Sequence, residues 1–309
     1  MEFDKEQIEL IGKRLSEISI VPYIPDDPQY YPPPGDHIEN VANFFLFMVA
    51  QDHRCYLPGG DYSMRLHGKL LRGAELLYAL AMERYTEDPH FFTPARMRRI
   101  SKEDIEALFS RNGVTLPDVH TRVFLWNDLA EKLIALYRGS FLDLLTMTRG
   151  FLYETQGGFV DRMRVFRAYE DPVEKKTFLL YKFLHRRNIF FARDIHMVHV
   201  PVDNHLVRLA VRLGIVEIPK HLELLFYWKK HATVEEDTII RLSIRSAYDE
   251  LCRYANISPL TLDDFLWSHG RTVCLREHPS CDKCVLNQCC AGYTHKKFLF
   301  EHLYTRTWY

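Results

Sequence analysis

Four cysteines lie within seventeen residues near the C-terminus: Cys274, Cys281, Cys284 and Cys290, with six, two and five residues between successive members. Thiols at this density, in a chain whose start carries no secretory signal, point to metal ligation rather than to a disulfide framework. One compact loop supplies all four, whereas zinc ribbons join two C-x-x-C knuckles across a longer insertion. Zinc and a four-thiolate iron–sulfur cluster both accept the count. Cys289 is a spare neighbour of Cys290, and Cys55 and Cys252 stand isolated, as ordinary buried thiols do. His269 and His278 read as supporting or surface groups, because four thiolates already complete a ligand set.

Other polar residues interrupt apolar patterns. Gln51-Asp52-His53-Arg54 ends an apolar run abruptly, and polar groups at the end of a core helix often line a pocket. Asp203 stands where a carboxylate would cap the helix opening at Asn204-His205 and stopping at Gly214. Lys175 and Lys176 lie on a basic helix with Lys182, Arg186 and Arg187, a pattern that ordinarily forms a solvated face.

The elements that must position these groups are helical. Ile8, Ile11, Leu15 and Ile18 make one side of an amphipathic helix over 4–18. Six prolines between Val21 and Gly35 exclude helix and central strand, leaving an extended arm. Asn40 to Ala50 is apolar nearly all round, as in a helix inside a bundle. A loop at Leu57–Asp61 precedes a helix expected from about Met64 to Tyr85. Ser101 and Asp104 predict an N-capped start, with helices over 102–110, 119–138 and 140–152. Further helices are expected at 204–213, 217–232, 237–255 and 262–270, and no strand is expected. The segment HKKFLFEHLYTRTWY reads as a basic, aromatic tail folded back on the body.

Composition sets wide bounds. The chain has 309 residues, 47% of them hydrophobic, and a formal net charge of −1. That suffices for a real core and leaves room for a local basic face on a neutral protein. The longest apolar run, Val41 to Ala50, is too short to span a bilayer, so the expectation is a soluble, intracellular, cytoplasmic monomer without membrane contact.

The spacing C-x6-C-x2-C-x5-C resembles the [4Fe-4S] loop of the endonuclease III branch of the helix-hairpin-helix DNA glycosylases. Three blocks follow that family's order. Val49-Ala50-Gln51-Asp52 is similar to an early helix whose glutamine reaches DNA. Val200-Pro201-Val202-Asp203-Asn204-His205 resembles its V-D-T-H segment, and Trp267-Ser268-His269-Gly270-Arg271 resembles the stretch before its cysteines. The resemblance runs loosely over residues 38 to 292. It implies an all-α, two-lobed fold with a C-terminal iron–sulfur loop: an N-terminal helix and Pro-rich arm (1–35), a helical barrel with a degenerate hairpin (36–200), an iron–sulfur domain (201–292) and a tail (293–309). It also implies a [4Fe-4S] cofactor on Cys274, Cys281, Cys284 and Cys290, with Asp203 as the catalytic carboxylate of an N-glycosidase acting on a damaged or modified base in DNA. A fixed carboxylate stabilises the positive charge left on a sugar losing its base. Lys176 aligns with the lysine that bifunctional members use as a Schiff-base nucleophile for AP lyase activity. Gln51, Phe44, Phe47, Asn204, His205, Lys175 and Arg271 are the expected substrate and DNA contacts, with a flipped base near Phe44, Phe47 and Gln51.

One departure is plain. The family's hairpin glycines are replaced by Pro172 and Glu174 in Asp171-Pro172-Val173-Glu174-Lys175-Lys176. Proline removes a donor, and a carboxylate repels phosphate. A likeness to queuosine-salvage N-glycosidases, carried by Asn43-Phe44-Phe45 and by Phe92–Phe109, offers a modified nucleoside or nucleotide as the alternative substrate. A non-catalytic iron–sulfur protein that binds nucleic acid is the third reading.

Overall fold

Helix α1 (Lys5–Ser16) is capped by the Asp4 carboxylate on the Gln7 N–H at 2.9 Å. Helix α2 (Ile38–Ala50) is buried on every side beyond its first turn, as its uniformly apolar sequence requires. Two short antiparallel hairpins follow, β1 (Tyr56–Leu57) with β2 (Gly60–Asp61) and β3 (Ser63–Leu66) with β4 (Lys69–Arg72). Then come α3 (Ala74–Glu87), α4 (Pro94–Met97), α5 (Lys102–Phe109), α6 (Val119–Tyr137), α7 (Phe141–Met147), α8 (Phe159–Met163) and α9 (Lys175–Arg186). The C-terminal third holds α10 (Asn204–Leu213), α11 (Glu223–Tyr227), α12 (Val234–Ala255), α13 (Pro259–Thr272) and α14 (Ala291–Thr294). This computed structural model describes residues 1–309 except Pro58, Gly59, Lys229 and Thr305; for Tyr56, Leu57, Gly60 and Asp61 it describes the backbone alone.

The chain is all-α apart from the hairpins, which correct two expectations. No strand was expected, and a helix was expected to start near Met64; it starts at Ala74. The reason lies at His67 and Gly68, both at positive φ (50° and 79°), which make a tight turn that a helix cannot contain. Alternation does the rest, since Met64 and Leu66 are buried and Arg65 is exposed. Part of the loop expected at 57–61, namely Pro58 and Gly59, lies outside the described residues. The helix expected over 217–232 is reduced to a 3-10 turn at Lys220–Leu222 and α11, because Pro219 delays its start.

Two compact units emerge. The first comprises Met1–Tyr23 and Val198–Arg306. Its core joins Ile8, Ile11 and Leu15 of α1 to Leu206, Leu209 and Leu213 of α10, Ile240, Ile244 and Leu251 of α12, and Leu262 and Leu266 of α13. The second comprises Ile24–Met197 and Thr307–Tyr309. Here α2 is central and its rings pack edge to face: Phe44 against Tyr85 and Phe92, Phe47 against Trp126. The Pro-rich arm is docked on this unit by Arg187, which donates to the carbonyls of Pro25, Pro32 and Pro33 at 2.8–3.0 Å. Among the described residues no helix is long and apolar enough to cross a membrane.

Candidate functional site

In the first unit everything converges on α10. Asp203 is its N-cap: Oδ1 accepts from the Leu206 N–H at 2.9 Å, which fixes the carboxylate, and the residue stays partly exposed. Oδ2 accepts no hydrogen bond from any described residue. The residues on either side are held by one buried guanidinium. Arg241 of α12 donates from Nη1 to the Val202 carbonyl at 3.1 Å and from Nη2 to Asn204 Oδ1 at 2.7 Å. Its Nε donates to Asp237 Oδ1 at 2.8 Å, and that oxygen also takes His302 Nε2 at 2.6 Å. Arg241, Asp237 and His302 are all buried, so the pair sits where water cannot loosen it.

The back of α10 grips the cysteine loop. Arg208 and Arg212, one turn apart and both buried, donate to the main chain on either side of Cys274. Arg208 reaches the Cys274 carbonyl at 3.2 Å and the Gly270 carbonyl at 2.7 Å. Arg212 reaches the Leu275 carbonyl at 2.7 Å, the Arg276 carbonyl at 2.5 Å and Cys274 Sγ at 3.3 Å. Arg208 Nη2 also lies 3.0 Å from His205 Nδ1; arginine only donates, so Nδ1 is the acceptor and the ring proton sits on Nε2. Gly270 allows α13 this close, since a Cβ there would come within 3.0 Å of His205 Cβ and Leu209 Cδ1. From the N-terminus, Gln7 Nε2 donates to the carbonyls of Leu213 and Cys289, both at 2.6 Å, and Arg14 Nε donates to the Val285 carbonyl at 3.0 Å.

Within the loop, burial pushes the Cys284 thiol up to about 11, and the neighbouring Cys290, Cys274 and Cys281 add to the rise. His269 Nε2 lies 3.2 Å from Cys284 Sγ, and burial keeps this imidazole neutral. Cys289 turns the other way, its thiol on the Leu286 carbonyl at 3.3 Å in the core. His278 is exposed. Among the described residues no three Cys, His, Asp or Glu side chains gather as the ligands of a single metal ion do. Four thiols supplied by one loop are the donor chemistry of a four-thiolate group.

The second unit holds the remaining sequence-derived candidates, and most are enclosed. Lys176 is fully buried, against the expectation of a solvated face. Its Nζ donates to the Ala50 carbonyl and the Thr307 carbonyl, both at 2.8 Å, and meets His53 Nδ1 at 3.2 Å. Burial, reinforced by the charge of Lys175, holds this amine well below the usual lysine range. Lys175 pairs with Asp52 at 3.2 Å. Gln51 is fully buried and tied to Arg122: Nε2 donates to the Arg122 carbonyl at 3.0 Å, and Arg122 Nη1 donates to the Gln51 carbonyl at 2.7 Å. Phe44 and Phe47 are wholly inside the core. Arg271, in the first unit, stacks on Trp267 with its guanidinium 4.6 Å from the ring centre.

The divergent hairpin explains itself locally. Glu174 adopts the left-handed conformation (φ 58°) that a glycine would take more easily, yet its carboxylate is paired with Arg164 and accepts from the Tyr153 hydroxyl at 2.7 Å. Asp171 caps the start of α9 by accepting the Lys175 and Lys176 N–H groups at 2.8 and 3.4 Å. Burial pushes its carboxyl up to about 6. The four buried arginines, Arg122, Arg208, Arg212 and Arg241, were not singled out by sequence. The available signal was their place on the apolar faces of amphipathic helices.

No family model matches the chain, and no curated protein matches it. Solved structures do. A trapped endonuclease III–DNA covalent intermediate aligns over 95% of this chain and 98% of its own, with a TM-score of 0.53 at 13% identity. A non-covalent endonuclease III–DNA complex aligns with the same coverage, a TM-score of 0.50 and 14% identity. The architecture is thus that of the helix-hairpin-helix DNA glycosylases. The likeness to endonuclease III is one of fold alone.

Proposed function

We propose that the chain is an N-glycosidase that hydrolyses the bond between a damaged or modified base and its sugar in DNA. The observation that carries this reading is Asp203: one oxygen is locked on a helix N–H, the other is unengaged among the described residues, and both flanking residues are clamped by Arg241. Such a carboxylate stabilises positive charge developing on the sugar and orients a water toward it, without moving during the reaction. The base leaves and water supplies the oxygen that replaces it on the sugar. Hydrolysis is favoured over Schiff-base chemistry because the Lys176 amine is enclosed by two carbonyls and an imidazole. The four thiols fit a [4Fe-4S] cluster, which when bound cross-links the loop that α10 grips. Its role in this reading is structural.

Asp203→Asn tests it. Asparagine caps a helix as well as aspartate does, so the fold should be kept while release of free base from lesion-bearing duplexes falls at least about 100-fold. Unchanged base release by this variant would sink the assignment. A steep fall of binding with salt is expected for a DNA substrate and would be absent for a free nucleoside.

A further inference from the structure

The second unit contains an open cavity of about 630 Å³ at the N-terminal end of α2, flanked by α4 and the end of α6, and no residue of the base-release proposal lines it. Its lining mixes apolar side chains with two carboxamides. Asn43 is 3% exposed, its Oδ1 is buried without a hydrogen bond, and its carboxamide bonds to no described residue. Asn40, one turn earlier and 9% exposed, is also without a side-chain partner among the described residues. A carboxamide oxygen buried in an otherwise apolar helix, as Asn43 Oδ1 is, costs stability when it bonds to nothing.

The rim is cationic. Arg98 and Arg99 are exposed and pair with no carboxylate among the described residues; the third arginine, Arg138, is engaged with Asp143 at 2.7 Å. His37 and His90 stand beside them. His37 places no side-chain cap on α2, and the N–H groups of Ile38 and Glu39 donate to no described residue. Open helix N–H groups beside unpaired guanidinium groups form an anion site, and the Glu39 carboxylate at the same rim suits a hydroxyl rather than a second anion.

We propose that this cavity binds a nucleoside monophosphate. The phosphate lies at the rim on Arg98, Arg99 and the α2 N-terminus, and the base edge lies inside. The Asn40 carboxamide offers one acceptor and two donors side by side, the pattern that pairs with the edge of a heterocyclic base, and the Asn43 amide adds a donor. The volume falls within the range of small-ligand sites.

The test is calorimetric titration of the full chain with ribo- and deoxyribonucleoside monophosphates, the matching nucleosides and inorganic phosphate. At least one monophosphate should bind at least tenfold tighter than both its nucleoside and inorganic phosphate. Arg98→Gln and Arg99→Gln should each weaken it tenfold or more, and Asn43→Ala should weaken it similarly while leaving phosphate affinity alone. Should Asn43→Ala fail to fold, Asn40→Ala reports on the same interior. Asp203→Asn should bind the monophosphate as the parent does, which separates this site from the proposed catalytic carboxylate. No monophosphate binding better than phosphate, or binding untouched by the arginine and asparagine substitutions, overturns the proposal.

Discussion

Replacing Arg241 by methionine should damage stability and catalysis through separable routes. In the fold, its guanidinium is the buried counter-charge of Asp237 and a donor to Val202 and Asn204 on either side of Asp203. Removing one member of a buried ion pair leaves the other uncompensated, at about 3–5 kcal/mol. At roughly 2–4 °C per kcal/mol, the thermal transition of Arg241→Met should fall by roughly 6–20 °C. Removing both charges in Asp237→Leu/Arg241→Met replaces the pair by apolar volume, so part of that loss should return, while His302, Val202 and Asn204 stay without their partners. Activity should not. The Val202 carbonyl and the Asn204 side chain still lack their donor, and a displacement of about 1 Å at a reacting group costs roughly 100-fold. The assay is single-turnover base release beside thermal melts of both variants. Base release restored to the parent rate in the double variant would refute the positioning role, and an unchanged melt in Arg241→Met would refute the ion-pair argument.

Cys281→Ser should lose iron and visible absorbance together, whereas Cys289→Ser, whose thiol faces the core, should keep both; iron content of the purified variants decides. Lys176→Met strands the Ala50 and Thr307 carbonyls, at about 1–3 kcal/mol each, so it should lower the melting temperature. Borohydride treatment of the parent protein with lesion DNA should trap no adduct on Lys176, and a mapped adduct there would return this residue to the chemistry. For Asp171, the folded pKa of about 6 lies above its unfolded value of about 3.9. The stability tied to its proton is therefore complete below the unfolded value and is lost as pH rises through about 6. Relative to Asp171→Asn, the parent should gain melting temperature as pH falls from 7 to 4; a flat difference would contradict it.

The fold class was legible because its strongest signals are local. The caps at Ser101, Asp203 and Gly214, the all-round apolar α2 and the cysteine spacing each act within a few residues. What escaped reading was set by partners far away in sequence. Lys176 looked like surface because it is one of a run of cations; its burial depends on carbonyls at Ala50 and Thr307. Phe44 and Phe47 looked like stacking groups, yet their neighbours Tyr85, Phe92 and Trp126 come from other helices. Arg241 and Arg212 were invisible because a helical arginine reads as solvated until the carbonyls it meets are known. Met64 to Leu71 was misread because the hairpin turn rests on His67, a residue without a strong turn signature.

Gln7 reaches the carbonyl of Cys289 across 282 residues of sequence. At about 5–20 residues per second, a ribosome needs roughly 14–56 s to deliver the second partner after the first. Until α10 and α12 have been made, α1 carries Ile8, Ile11 and Leu15 without the core partners they pack against. The segment around α1 is therefore vulnerable during synthesis, and a bulky group placed beside it competes with its docking.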